Sequence, residues 1–311
     1  MKTFKEVVQK TQNFPVKTLA VVEAADATVL KALAKARKTN VAQAILFGRK
    51  NEIKKMAKQC GVSLKDMTIR DTPNEIISAE EATRSVRNGI ADILMKGLIH
   101  SDDFLRAVIN KEYGLRSGSF MSHVFVLQRE DKLILVSDGA MNIAPTFDHK
   151  AMIILNALYL AEILQIKRPR VAVLAAVELV NPAMPATVDA AAFYKMNTRG
   201  QFSPDCCIEG PFALDNAVNE FAAKHKNIKG DVAGRADVLI VPTIEAGNML
   251  AKSFVYFAKG KIAGVVVGAS APVVLTSRAD NAEAKFNSIA LAVLMSNMRR
   301  HLKLKVGTVH Y

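Results

Sequence analysis

Short apolar runs alternate with amphipathic stretches along nearly the whole chain, and this alternation restricts the fold more than any other feature. TLAVVEA is followed by DATVLKALAKARK, AQAILFG by KNEIKKMAKQCG, and ISAEEATRSVRNG by ADILMKG. Strand and helix segments in this order require an α/β fold with a mainly parallel sheet, because parallel strands need the crossover that a helix supplies. Local signals set the helix ends. Asp26 caps the first amphipathic helix, Ser78 and Glu81 form an S-x-x-E capping box, and Gly61 and Gly89 stand where helices stop. Periodicity lapses around SDGAMNIAPTFDHK, residues 137–150, before the long apolar helix AMIILNALYLAEIL, and the domain junction is placed there. A second alternation runs through PRVAVLAAVE, ADVLIVP and KIAGVVVG. GIADIL at 89–94 and GRADVL at 234–239 repeat one helix-to-strand turn, a weak echo between the halves.

With 311 residues, half of them hydrophobic, the chain can bury a large core in two domains or one large one. Cys60, Cys206 and Cys207 have neither a disulfide framework's number nor a zinc site's spacing, so a reducing cytoplasm is expected. The N-terminal MKTFKEVVQK is charged where a signal peptide needs apolar residues, and FNSIALAVLM at 286–295 is too short to span a bilayer. The expectation is a soluble protein that is not exported. A net charge of +13 suggests a polyanionic partner: nucleic acid, a membrane surface or a phosphorylated metabolite. The bases are spread along helices, and the densest groups, KRPR at 167–170 and RRHLKLK at 299–305, are short and separate. No basic stretch is interleaved with base-stacking aromatics, so nucleic acid finds no support and most of these charges read as solvated helix faces.

Several catalytic devices are missing. There is no P-loop, no G-x-G-x-x-G after the first strand, and no G-x-S-x-G elbow, VGASAP lacking the second glycine. The six histidines, at 100, 123, 149, 225, 301 and 310, show no ligand spacing, so no metal site is expected. What remains are polar residues at strand ends, where open α/β sheets bind ligands. ADILMKG ends on Lys96, then GLIHSDDFLRAV brings His100, Ser101 and Arg106, and LRSGSFMSHVFV brings Arg116, Ser117, Ser119, Ser122 and His123. Glu178, Glu209, Glu245 and Asn248 hold comparable turns in the second half. In VVLTSRADNAEAK an apolar strand runs directly into Ser277, Arg278 and Asp280. Plainer roles stand beside these: a cap or surface role for His100, a cap for Glu245, and burial for Cys206 and Cys207 and for the apolar VYFA at 255–258.

The strings KGLIHSDDFLRAV, SGSFMSHVFV, MPATVDAAAFYKM, EGPFALDNAV, ADVLIVPTIEAGNMLAKSFVYFA and GVVVGASAPVVLTSRADNAEAK occur in one order over nearly the whole chain. Together they resemble the phosphate acetyl- and butyryltransferase family, and the length and the SRAD variant are closer to its butyryl branch. The resemblance implies two three-layer α/β domains with an interdomain cleft, like isocitrate and isopropylmalate dehydrogenases. Residues 1–138 with 276–311 would form the first, discontinuous domain and 139–275 the second. It also implies transfer of a short acyl group between coenzyme A and inorganic phosphate by direct attack in a ternary complex. Both compounds are substrates, and no cofactor is needed.

Ser277 and Arg278 then inherit roles toward the reacting thiol and the phosphate, with Arg106 and Arg116 completing the phosphate clamp. Lys96, His100, Glu245 and Asn248 are further candidates for phosphate or CoA binding. The family's acetyl enzymes carry an aspartate where this chain has Ala284, so the base falls to Glu283 or Asp280. That pair also reads as a capping box for the last helix. A homo-oligomer acting on these substrates in the cytoplasm is expected. The alternatives are a phosphate acetyltransferase, a metal- and NAD-dependent dehydrogenase of the same fold class, and a non-catalytic basic binding module.

Overall fold

The computed structural model describes residues 1–203, 205–302 and 308–310. The basic group at 299–305 lies outside the described side chains. In chain order the elements begin α1 (Phe4–Thr11), β1 (Lys17–Val22), α2 (Ala27–Lys38), β2 (Ala42–Gly48), α3 (Lys50–Gln59) and β3 (Thr68–Asp71). Then follow α4 (Glu75–Arg87), β4 (Ile93–Lys96), α5 (Ser101–Ile109), β5 (Ser122–Arg129), β6 (Lys132–Ser137) and α6 (Phe147–Ile163). Next are β7 (Arg170–Leu174), α7 (Pro185–Thr198), β8 (Phe202–Ser203), β9 (Cys207–Phe212), α8 (Leu214–Val218) and α9 (Glu220–His225). The last are β10 (Val238–Ile240), α10 (Ile244–Tyr256), β11 (Lys261–Val267), β12 (Val273–Val274), α11 (Ala282–Leu302) and β13 (Thr308–Val309).

The described residues form two compact units, one of residues 4–119 and 262–302, the other of 1–3, 120–203, 205–261 and 308–310. The sequence reading set the exchanges at 138/139 and 275/276; in the structure they fall at 119/120 and 261/262. Strand pairing accounts for the positions: β5 is hairpin-paired to β6, which pairs with β10, whereas β12 pairs with β4.

In the first unit the strand order is β3-β2-β1-β4-β12-β11. Every pair is parallel except β11 with β12, as the alternation of apolar and amphipathic segments requires. From β1 the chain proceeds outward through β2 and β3, then returns to the other side of β1 as β4. This places a topological switch point between the ends of β1 and β4, where Val22 lies opposite Lys96. The sheet is covered by helices, with α11 packed on α1 and α2. Ile289, Ala290, Leu291, Ala292, Val293 and Leu294 are fully buried, so the apolar run at 286–295 is a core helix. Among the described residues no helix is long and apolar enough to cross a membrane.

The second unit carries the order β5-β6-β10-β7-β9, antiparallel at β5–β6 and parallel elsewhere. Helix α6 is apolar around its circumference and almost entirely buried, as expected of a central helix. β8 and β13 form a separate antiparallel pair.

Asp26 caps α2, accepting from Val29 N at 2.8 Å, and Gly61 and Gly89 follow α3 and α4 with φ of 69° and 75°. The Ser78–Glu81 capping box is not formed. Asn74 starts that helix three residues earlier, accepting from Ile77 N at 3.0 Å, and Ser78 lies buried inside its first turn. The placement of VYFA in the core also needs correcting. α10 ends at Tyr256 and buries Gly247 and Ala251, which leaves Phe257 87% exposed.

Candidate active site

The parallel strands β4 and β12 are neighbours, with Val274 opposite Met95, so both strands end at the same edge of the first unit. Beyond β12, Leu275 and Thr276 are buried while Ser277 and Arg278 emerge into solvent. Backbone and side chain close this exit into a tight turn. Asp280 Oδ2 accepts from Ser277 N at 2.9 Å, Asp280 N donates to Ser277 O at 3.2 Å, and Ser277 Oγ accepts from Ala279 N at 3.3 Å. From the next helix Lys285, 2% exposed, donates from Nζ to Ser277 O at 2.8 Å and Asp280 O at 3.1 Å. The cap of α11 is Asn281, whose Oδ1 accepts from Ala284 N at 2.8 Å. The capping-box reading of Asp280 and Glu283 therefore gives way: Asp280 is committed to the turn before the cap. Glu283 is exposed in the first turn of α11.

Lys96 closes β4 beside this turn. It is 2% exposed, and among the described residues its ammonium has neither hydrogen bond nor ion pair. Burial, reinforced by the positive charges of Arg278 and Lys285 and opposed by Asp280 and Asp26, lowers its pKa to about 8. Burial lowers the pKa of Lys285 as well, with Asp280 and Asp26 working against it. Three cations thus gather at one strand end. Gly97 makes the approach to β1 possible: a Cβ there would lie 2.3 Å from Glu23 O and 2.4 Å from Val22 O. Its N–H donates to Val22 O at 2.9 Å. Glu23 itself, at φ 51°, is buried, its carboxyl pushed up by burial and its Oε1 without a hydrogen-bond partner among the described residues.

The other candidates divide by unit. Arg116 is exposed and its backbone bridges Ala269, while Ser270 N donates to Leu115 O at 2.8 Å, so 115–116 runs beside 269–270 just past β11. Arg106 is exposed on α5, 3.8 Å from Asp103, and His100 is exposed at the N-cap position of α5 without a side-chain capping bond.

In the second unit Ser122 and His123 are fully buried: Ser122 Oγ accepts from Asn156 Nδ2 at 2.9 Å and His123 N donates to Asp138 Oδ2 at 3.0 Å. Glu178 accepts from Asn216 Nδ2 at 3.3 Å and lies 3.6 Å from Lys226, and Glu209 accepts from Asp231 N and Val232 N at 2.9 and 3.2 Å. These are framework contacts. Glu245 is exposed in the first turn of α10, its pKa lowered by a hydrogen bond with Thr243, and Asn248 Nδ2 donates to Gly139 O at 3.1 Å. Burial pushes the Cys206 and Cys207 thiols up to about 12 and about 11, away from the reactive thiolate. Among the described residues no cluster of three or more His, Cys, Asp or Glu is placed to hold a metal.

Lys285, Asn281 and Glu23 were not singled out by sequence. Lys285 had a legible signal: it shares a helical face with Ser288, Ile289 and Ala292, and a lysine on an otherwise buried face needs a reason.

Two buried lysines and the exposed Arg278 thus gather around one strand end of a parallel-dominated α/β sheet, an arrangement whose chemistry suits an anion. The chain belongs to the phosphate acetyl/butaryl transferase family, whose pattern it matches over residues 73–293. It is 48% identical over 297 residues to a phosphate butyryltransferase of Clostridium beijerinckii, covering 95% of this chain and 98% of the relative. To a phosphate acetyltransferase of Thermotoga maritima it is 42% identical over 282 residues, 90% of this chain and 95% of that one. Among solved structures, a branched-chain phosphotransacylase from Enterococcus faecalis aligns with a TM-score of 0.79 at 33% identity, covering 90% of this chain and 99% of that one.

Proposed function

We propose that this chain is a cytoplasmic phosphate butyryltransferase, interconverting butyryl-CoA and phosphate with butyryl phosphate and CoA by direct attack in a ternary complex. The observation that carries the reading is the convergence of Lys96, Arg278 and Lys285 on the turn at 277–280. A dianionic phosphate or acyl phosphate is what such a cluster stabilises best, since desolvated charges attract far more strongly than solvated ones. The guanidinium of Arg278 offers a bidentate fork to the phosphoryl oxygens, and Arg106 and Arg116 are the further arms assigned to it. The Ser277 hydroxyl serves the thiol or the carbonyl oxygen, where charge develops in the tetrahedral state. Lys96 and His100, with Glu245 and Asn248 of the second unit, are assigned to phosphate or CoA, and Asp280 and Glu283 are the carboxylates assigned beside the turn, Asp280 already holding Ser277 N.

The dehydrogenase-like, three-layer form of both domains belongs to the same proposal, supported by two units each built on a parallel-dominated sheet. So does a homo-oligomer, supported by the exposed Met249, Tyr256 and Phe257 of the α10 region. Release of free thiol from butyryl-CoA, measured with and without inorganic phosphate, tests the function. Strictly phosphate-dependent release is expected. Phosphate-independent hydrolysis, or none at all, removes the reading.

A further inference from the structure

We propose that the amine of Lys96 exchanges the proton of the coenzyme A thiol. The inference rests on the acyl-transfer reading and assigns a step within it. Among the described cations of the cluster, Lys285 is already held by two carbonyl acceptors, and a guanidinium such as Arg278 keeps its proton throughout. Lys96 is buried, has no partner among the described residues and is seated at the switch point beside the Ser277 turn. The carboxylates nearest it in charge are engaged: Asp280 Oδ2 takes Ser277 N, and Asp26 Oδ1 takes Val29 N and the Thr28 hydroxyl.

The charged groups acting on Lys96 come from several elements. Arg278 and Asp280 act from the turn after β12, Lys285 from α11 and Asp26 from the cap of α2. The Glu23 carboxyl, at the end of β1, is governed by burial, Ser78, Arg49, Glu75 and Glu52 instead. Burial and two like charges favour the neutral amine, bringing it near a thiol's ordinary value of about 8.5, the match that efficient proton transfer requires.

In acyl-CoA formation the neutral amine takes the S–H proton as sulfur bonds to the acyl carbon. The C–O bond to phosphate breaks, and phosphate leaves with the electron pair. The resulting ammonium then releases its proton to the departing phosphate or to water. In the opposite direction a phosphate oxygen bonds to the thioester carbon, the C–S bond breaks, and the Lys96 ammonium protonates the leaving sulfur.

The thioester direction gives the cleaner test, because no free thiol titrates in the substrate. Wild type, Lys96→Arg and Lys96→Met would be assayed for phosphate-dependent CoA release from butyryl-CoA across pH 6–10. Wild-type kcat should fall above a pKa near 8, as the ammonium is lost. Both variants should lose roughly 100-fold or more together with that limb, since the arginine keeps the charge but holds its proton and methionine has none to give. Because a buried arginine can disturb the fold, circular dichroism accompanies both. Reductive 13C-methylation of the wild type, with the Lys96 signal assigned by its absence from a variant, reads the amine directly. A titration near 8 supports the proposal, and one above 10 overturns it. If the wild type turns over and a folded Lys96→Arg keeps the limb and its rate within threefold, this inference alone fails. If the wild type releases no CoA with phosphate, the acyl-transfer reading fails and takes the inference with it.

Discussion

Arg278 sits exposed on a backbone fixed by Asp280 and Lys285, so its guanidinium is presented to a ligand without a folding role of its own. Arg278→Ala should therefore leave thermal unfolding near wild type while lowering kcat/KM by roughly 30- to several-thousand-fold, the equivalent of about 2–5 kcal/mol for a charge pair to phosphate. Lysine should restore only part of this, for want of the bidentate fork. Steady-state kinetics on butyryl-CoA check both variants, and near-wild-type rates in a folded alanine variant would remove Arg278 from the site. Glu283→Gln and Asp280→Asn separate proton transfer from support of the turn. Glu283→Gln should keep both rate and pH profile, whereas Asp280→Asn should lower the rate by loosening the contact with Ser277 N and move the limb to lower pH, because its charge holds the Lys96 amine up. Loss of the limb altogether in either would return the thiol proton to a carboxylate.

Lys96 carries a stability cost whose sign follows from its lowered pKa. Below about pH 8 the lysine is charged in both folded and unfolded chains, and the folded state bears the whole penalty of burying that charge. Between about 8 and 10.5 the folded chain binds fewer protons than the unfolded one, so stability rises with pH, and above 10.5 the penalty is gone. Lys96→Met should thus stabilise the protein by about 3 kcal/mol at pH 7, with the gain vanishing by about pH 10.5. Paired denaturant titrations at both pH values measure it. Ser277 and Arg278 were legible because a strand that ends in an alcohol and a guanidinium has no packing reason to do so. Lys285 was missed because its role lies in reaching back to two carbonyls, a relation between helix and turn that spacing alone does not display.

At the scale of elements, the alternation of segments dictated parallel crossovers, and Asp26, Gly61 and Gly89 marked helix ends correctly. Caps failed where two candidates competed. Ser78 and Asp280 each lay within four residues of an asparagine, and the asparagine took the cap while the other side chain made a tertiary or turn contact. The packing of β4 against β1 depends on Gly97, whose missing side chain lets the backbone lie on the Val22 and Glu23 carbonyls. Gly97→Ala should cost at least about 3 kcal/mol, because the obstruction is the backbone of Val22 and Glu23 and no rotamer relieves it. Gly89→Ala is the matched control. Its φ of 75° is unfavourable for alanine but its surroundings are open, so a cost of about 1–2 kcal/mol is expected. Equal losses in urea unfolding would mean that the Gly97 contact relaxes and does not fix the β1–β4 junction.

For the whole molecule, periodicity located two runs of strand–helix alternation but not the residues at which the chain passes between units. The lapse at 137–150 is a loop after β6, whereas the first exchange, at 119/120, falls beside the short Ser117-Gly118-Ser119 run, one turn signal among many along the chain. Sequence registers turns; unit membership is decided by pairing, here of β5 with β6 and β6 with β10. Acyl-chain preference likewise belongs to the chain as a whole, since no single residue at the 277–280 turn reports it. Butyryl differs from acetyl by two methylenes, each worth about 0.8 kcal/mol when buried, so a complementary pocket should favour butyryl-CoA by roughly 15-fold in kcat/KM. Acetyl-CoA should remain a detectable substrate, and isobutyryl and valeryl esters should fall between, because an apolar pocket rejects small changes of shape only weakly. Phosphate-dependent CoA release across the acetyl, propionyl, butyryl, isobutyryl and valeryl esters decides the matter. A preference for acetyl-CoA would make the chain a phosphate acetyltransferase while leaving the proposed roles of Arg278 and Lys96 intact, since these are assigned to the phosphate and thiol ends of the reaction and not to the acyl tail.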